Sequence, residues 1–281
     1  VMTITEPGIV TDLDERTYHA DPVPESSLSV SGAKTILDCP ERFQYERANP
    51  PVSQAFSFGH AAHSKVLGRG VTCVTVPPNL LAKNGAASTT AAKEFIAEQT
   101  ANGITVIKAD EAAAVDAMAA KILEHPIASR LFASGVAEQS MFWRDEDTRV
   151  MLRGRSDWIN EDVFGRPVVV DYKTTARTAD PTRFGWEARD YRYHMQDAWY
   201  REGLDTLTGD THGFVFVVQE KTAPYLVSVV ELDDESREEG AHLNRAARAI
   251  YLECMTAGQW PGYAPIVHPV SIFRRLQGVS A

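Results

Sequence analysis

Two stretches decide how the chain is read: Arg153-Gly154-Arg155-Ser156-Asp157-Trp158-Ile159, and Val168-Val169-Val170-Asp171-Tyr172-Lys173-Thr174-Thr175. Three successive β-branched valines predict a buried strand. Strand side chains alternate, so Asp171 and Lys173 project from one face, roughly 7 Å apart along the backbone. Residues 160–166, with Gly165, predict the turn of an antiparallel hairpin, which would bring Asp157 alongside Asp171. Two carboxylates and an ammonium then converge at one edge of a sheet. Hard carboxylate oxygens suit Mg²⁺, which keeps several of its waters. Such an ion polarises a phosphoryl oxygen and makes water a better nucleophile, and the lysine orients that water or offsets growing negative charge. Phosphodiester hydrolysis needs this set of groups.

Working outward, residues 136–143, 149–159 and 167–173 predict three consecutive strands, the first two joined by the turn Asp145-Glu146-Asp147. Residues 181–203 predict a helix or helix pair, 214–218 a buried strand, 225–232 another strand, and 233–255 a long amphipathic helix capped by Asp233. Upstream, Ser29-Val30-Ser31 offers caps for a helical segment through Ile36, Leu37, Phe43 and Tyr45, which Pro40 breaks or kinks. Residues 58–67 predict a helix carrying His60 and His63, 71–76 a short strand, and 77–88 a mobile loop. Helices over 90–100 and 109–124 flank a strand at 104–107. The order helix, three strands, helix, strand predicts an α/β core with a mixed sheet. We expect one domain over 1–281: a helical part at about 29–133, a catalytic core at about 134–232, and a helix and tail over 233–281.

A hydrophobic fraction of 44% and a charged fraction of 23% are ordinary for a soluble globular protein. No apolar run approaches the roughly 18 residues that span a bilayer, so no membrane partner is expected. Val1-Met2-Thr3-Ile4-Thr5-Glu6-Pro7 has neither a basic nor an apolar leader region, so secretion is not expected. Val1 ahead of Met2 reads as an expression remnant and is left out of fold reasoning. Cys39, Cys73 and Cys254 are odd in number and widely spaced, which predicts a reducing cytoplasm, that of a bacterial host. A net charge of −10 argues against a general nucleic-acid-coating protein but not against a local basic groove. Arg144, Arg149, Arg153 and Arg155 form one cluster in sequence, and Arg183, Arg189, Arg192 and Arg201 another. They read either as solvated charge or as phosphate contacts.

Residues 154–159 and 170–175 resemble the signature strands of PD-(D/E)XK nucleases, and more narrowly the phage and prophage exodeoxyribonuclease VIII (RecE-like) branch, akin to the RecB nuclease domain. Ser29-Val30-Ser31 through Pro40-Glu41-Arg42-Phe43-Gln44-Tyr45 resembles that branch's opening motif. Phe58-Gly59-His60-Ala61-Ala62-His63 resembles its G-x-x-x-H helix, and the run from Tyr193 to Tyr200 its Q-x-x-x-Y helix. Trp260-Pro261-Gly262-Tyr263 extends the match weakly.

The resemblance implies a restriction-endonuclease-like αβββαβ core with extra N- and C-terminal helices. It implies hydrolysis of DNA with Mg²⁺, Mn²⁺ substituting, and 5′→3′ digestion of duplex ends at which a 5′-phosphate helps. It also implies a role in phage-type homologous recombination beside a single-strand-annealing protein, with assembly into a homo-oligomeric ring. Carried onto this sequence, it makes Asp157, Asp171, Lys173, Gln196 and Tyr200 catalytic. His63, Asp157, Asp171 and Glu138 become metal-site residues, His60 staying open as the histidine nearer the site and Glu138 resting on strand alternation as well. Some RecB-like nucleases carry an iron–sulfur cluster starting at the position of Cys39. Four thiolates are needed, and only Cys254 lies near the C-terminus, so no cluster is expected. The alternatives are an endonuclease or structure-selective nuclease on the same core, or a nuclease-derived DNA-binding protein without turnover.

Overall fold

A computed structural model describes residues 2–49, 58–70 and 72–269. In chain order, β1 (Gly8–Val10), α1 (Glu15–His19) and β2 (Leu28–Ser29) precede α2 (Val30–Asp38) and α3 (Pro40–Ala48). Next come α4 (Phe58–Leu67), β3 (Cys73–Thr75), α5 (Thr90–Ala101), β4 (Thr105–Ile107), α6 (Ala109–Glu124) and α7 (Ala128–Leu131). The second half holds β5 (Val136–Arg144), β6 (Met151–Val163), β7 (Arg166–Thr175), α8 (Pro181–Asp190), α9 (Tyr193–Thr208), β8 (Gly213–Glu220), β9 (Val227–Val230) and α10 (Asp234–Ala257).

The two signature stretches lie in β6 and β7, neighbours in a sheet of order β1-β5-β6-β7-β8-β9, with β2 beside β6. β5, β6 and β7 pair antiparallel, while β7 and β8 run parallel, linked by the α8–α9 crossover. The sheet is therefore mixed, within the α/β class expected. Both of its faces are covered. Val169 packs in one core with Ile36 of α2, Trp199 of α9 and Tyr251 of α10. Val168 and Val170 pack in another with Ala62 of α4, Met118 of α6 and Leu131 of α7. Burial on both sides explains why β7 is a run of valines rather than an alternating strand.

Local chemistry sets the element ends. The Ser29 hydroxyl accepts from Gly32 N–H (3.2 Å) and starts α2. Pro40 opens α3, so the helix is divided at Cys39. Asp233 caps α10 by accepting from Ser236 N–H (2.9 Å).

Three expectations change. The interval 160–166 is mostly strand, because β6 reaches Val163 and β7 begins at Arg166. Only Phe164 (φ 61°) and Gly165 (φ 80°) turn, both left-handed as a two-residue hairpin loop demands. Asn160 is a buried tether, its amide donating to the Leu131 carbonyl (3.0 Å). The stretch before residue 28, where no apolar periodicity marks an element, contributes β1, α1 and an edge to the sheet. Residues 77–88 include a 3-10 turn at Pro78–Leu80, held by the Thr89 hydroxyl donating to the Leu80 carbonyl (2.5 Å). Val71, expected to begin a strand, lies outside the described residues.

Candidate active site

The last paired residues of β6 and β7 toward the site are Trp158 and Val170. Beyond them the ladder stops, and the Asp157 carboxylate stands in for the missing strand partner, its Oδ2 accepting from Tyr172 N–H (2.9 Å). Asp171 and Lys173 continue β7 in register with Phe216 and Val218 of β8, so both are fixed on a central strand. Asp171 is 1% exposed and forms an ion pair with the Lys173 ammonium.

Two helices close on this gap. From one face α4 brings His63, whose Nε2 lies 3.0 Å from Asp157 Oδ2. Gly59 makes that approach possible. A Cβ there would sit 2.9 Å from Thr174 Oγ1 of β7, so only glycine lets the first turn of α4 come so near. His63 is four residues later on the same helix face. His60 is exposed, so of the two histidines the structure puts His63 against the carboxylates. From the other face α9 brings Gln196. Its amide nitrogen donates to Asp171 Oδ2, and its carbonyl oxygen accepts from Lys173 Nζ (3.4 Å). Gln196 thus bridges the two functional groups of β7.

Tyr200, one turn on, lies deeper. It is 8% exposed, packs on Phe214 with ring centroids 6.2 Å apart, and rests against Gly154. Among the described residues its side chain makes no hydrogen bond to Asp157, Asp171 or Lys173, and it forms the floor of the site. Glu138 of β5 stands opposite Asp157 of β6, a pair missing from the ladder although the register on either side is kept, and its backbone is left-handed at φ 53°. Its carboxylate pairs with Arg155 Nη2 (2.7 Å), beside rather than among the other carboxylates.

A family model described as a PDDEXK-like domain of unknown function (DUF3799) matches residues 29–268. The chain belongs to this family. Among solved structures, the PDDEXK-like chain is similar to one from Eubacterium rectale, provisionally named an exonuclease, with a TM-score of 0.58 and 14% identity. That match covers 96% of this chain and 100% of the other, and at such identity it speaks to the fold. A structure of SSO0001 aligns over 68% of this chain and 84% of its own at 13% identity, but its TM-score of 0.28 carries no argument. No curated protein matches.

The electrostatics of the PDDEXK-like site follow from its burial. Burial pushes the Asp171 carboxyl above its ordinary value and the charge of Asp157 adds to this, although Lys173 pulls the other way. Burial would raise Asp157 too, but the hydrogen bond and charge of His63, with Lys173, hold it below its usual range. Both cations shift up: burial opposes them, and it is outweighed by Asp157 at His63 and by Asp171 and Asp157 at Lys173. Two neighbouring carboxylates, Asp171 buried and Asp157 partly open, with oppositely displaced proton affinities favour positive charge between them.

The donor set fits a divalent ion. Asp171 Oδ1 is buried and meets the Lys173 ammonium, and a carboxylate oxygen has a second lone pair that this one contact does not use. No three His, Cys, Asp or Glu among the described residues form a ready-made cage. Mg²⁺ does not need one, because it binds through one or two carboxylates and keeps its waters.

Of the two readings of the arginine clusters, solvated charge or phosphate contact, five of the eight arginines follow neither and form ion pairs within the fold. Arg153 pairs with Asp21 (2.9 Å), Arg155 with Glu138, Arg192 with Asp38 (2.8 Å) and Arg201 with Asp197 (2.8 Å), while Arg144 reaches Glu25 (3.5 Å). They act as struts because each has an acidic partner distant in sequence or one helical turn away. Arg149, Arg183 and Arg189 are exposed and remain candidates for phosphates. Two site residues escaped the sequence reading, Tyr193 and Lys34. Tyr193 lies three residues before Gln196, on the same helix face, and that spacing was the available signal.

Proposed function

We propose that this PDDEXK-like domain is a divalent-metal-dependent DNA nuclease that degrades linear duplex from its ends, 5′→3′, like the RecE-like branch it resembles. The observation that carries the reading is the cluster at the β6–β7 splay: Asp157, Asp171 and Lys173 on two strands, with Gln196 linking the last two. Asp157 and Asp171 would hold the ion, Mg²⁺ or Mn²⁺, with His63 beside them. When bound, the ion supplies Lewis acidity and a more acidic water. Lys173 places a fixed ammonium where negative charge grows on the phosphoryl group, and a fixed charge in a dry site needs no reorganisation. Gln196 keeps that ammonium against Asp171 rather than in solvent. His63 holds Asp157 ionised. Glu138, locked by Arg155, shapes the rim and adds negative potential, and Tyr200 supports β6 from beneath. We place the enzyme in phage-type recombination beside an annealing protein and expect a ring to admit only a terminus.

End-labelled linear duplex and covalently closed circles, each with Mg²⁺ and with excess chelator, test this reading. We expect loss of linear duplex from its ends, faster with a 5′-phosphate, survival of circles, and no cleavage in chelator. Nicking of circles at a comparable rate would favour an endonuclease, and cleavage in chelator would remove the metal.

A further inference from the structure

Lys34, near the middle of α2, points its ammonium at the ring of Tyr193, 5.4 Å from the centroid. The ammonium of Lys173 lies 4.9 Å from the centroid of the same ring. Two cations thus share one aromatic post at the edge of the candidate active site. Lys173 has Asp171 as its counter-charge, but Lys34 has no carboxylate within ion-pair distance among the described residues. Its natural partner would be Asp38, one turn along the same helix. Asp38 is occupied by Arg192, whose Nη2 pairs with it at 2.8 Å while Nη1 donates to the Lys34 carbonyl (3.1 Å). Arg192 therefore clamps α2 to the start of α9, fixes the backbone of Lys34 and takes away its anion.

Burial, then the charge of Lys173, lowers the Lys34 ammonium to about 8, against the pull of Asp171. It remains charged at neutral pH, half-buried beside a second cation. Its stem could lie on Tyr193 for packing alone, but a neutral side chain would pack there without the repulsion. The arrangement fits an anion that comes from outside, and a DNA strand carries one at every nucleotide.

We propose that Lys34 is a phosphate-anchoring residue, its ammonium taking a backbone phosphate of the bound DNA strand next to the phosphate that Lys173 and the carboxylates address. This rests on the nuclease reading of the same site. The anchor fixes the strand along the direction from α2 to β7 and leaves Lys173 for the reacting group. It is a positioning residue and carries no sequence preference.

The test is the salt dependence of binding. A fluorescent linear duplex is titrated with the full chain in Ca²⁺, which supports little turnover, over roughly 50–200 mM salt. Lys34→Met keeps the stem on Tyr193 without the charge, Lys34→Gln is a second neutral variant, and Lys34→Arg restores a cation. Each lost phosphate contact lowers the slope of log K against log salt by about 0.9. We expect that drop in both neutral variants, equally for unrelated sequences, with a raised KM, near-normal kcat and an unchanged melting temperature. The wild-type slope should return in Lys34→Arg. An unaltered slope in Lys34→Met and Lys34→Gln overturns the anchor, as does a wild-type chain that binds no duplex at 50 mM salt. Cleavage by the wild type with an unaltered slope in the variants sinks the anchor alone. A Lys34-dependent slope without hydrolysis in Mg²⁺ sinks the nuclease reading and leaves the anchor standing.

Discussion

Around Arg248 each charge meets its opposite, whereas around Asp171 the charges are held out of balance. Arg248, 3% exposed, gives one guanidinium nitrogen to Asp145 (2.5 Å) and another to Glu202 (2.6 Å). Asp145 also accepts from the amide and hydroxyl of Thr148 (2.8 and 2.5 Å), and Glu202 from the Trp143 indole (3.3 Å). That cluster matches one cation with two carboxylates and ties β5, α9 and α10 together. The cluster at the β6–β7 splay instead keeps two carboxylates shifted in opposite directions and, among the described residues, a neighbouring ammonium with no carboxylate at ion-pair distance. The difference teaches how to sort buried charge by purpose. A cation held between two carboxylates is balanced as it stands, whereas two neighbouring carboxylates with opposed proton affinities and a second ammonium close by suit an ion and an anionic substrate.

The largest effect expected from breaking this contrast is in Asp171→Asn. It should abolish hydrolysis, a loss on the order of 10³-fold, and Lys173→Ala should lose on the order of 10²-fold or more. Asp171→Asn should leave the melting temperature near that of the wild type, whereas Lys173→Ala strands the buried Asp171 carboxylate and should lower it, so its rate is read per folded molecule. Normal rates in either would move the chemistry elsewhere and make the two clusters equivalent. Arg248→Ala should do the reverse. It strands Asp145 and Glu202 and should cost about 3 kcal/mol or more in urea unfolding, with activity per folded molecule retained. A catalytic defect in folded Arg248→Ala would mean that the closed cluster also serves the site.

A finer effect separates the histidines. His63→Ala should reduce the rate on the order of tenfold, as loss of a group orienting a metal ligand does, while His60→Ala should change little. Steady-state rates in Mg²⁺ decide this, and the opposite order would return the role to His60.

The smallest expected effect is in acid. Burial would raise Asp145, but its bonds from Thr148 and the charge of Arg248 hold it below its ordinary 3.8. The unfolded chain then binds the proton more readily, so this stabilisation is complete above the ordinary value and is lost as pH falls through the folded one. Asp171 is shifted upward and has the opposite sign, opposing folding more as pH rises through its raised value. Urea unfolding of Asp145→Asn from about pH 6 to pH 3 should therefore show a shallower loss in acid than the wild type. A parallel loss would show that Asp145 is not the acid-sensitive member.

Much of the fold is legible in the sequence because its signals are local. The valine triplet marks the central strand, and the ends of α4 and α6 coincide with those read from apolar spacing. Asp171 and Lys173 fall on one face because strand geometry leaves no other choice. What stays hidden depends on partners distant in the chain. β1 is three residues long and exists by pairing with β5. The Phe164–Gly165 turn lacks the Asn-Gly or Asp-Gly signature that would announce it. A run of arginines shows charge but not that Asp21, Glu138 and Asp38 will neutralise it. Lys34 has no motif of its own, and its meaning comes only from lying near Tyr193 beside Lys173.

The missing rungs between β6 and β7 also bear on the order in which the molecule comes together. Asp157 and Asp171 sit on one hairpin closed by a two-residue turn, a contact of short range that forms quickly. His63 comes from nearly a hundred residues upstream and Gln196 from within the helical crossover, so both arrive only after loops longer than the hairpin turn have closed. Until then the open end of the hairpin leaves both carboxylates in water. Their dehydration belongs to the docking of α4 and α9, the same step that closes the valine core beneath them. The nascent hairpin therefore assembles without carrying the most strongly charged part of the molecule into a dry interior.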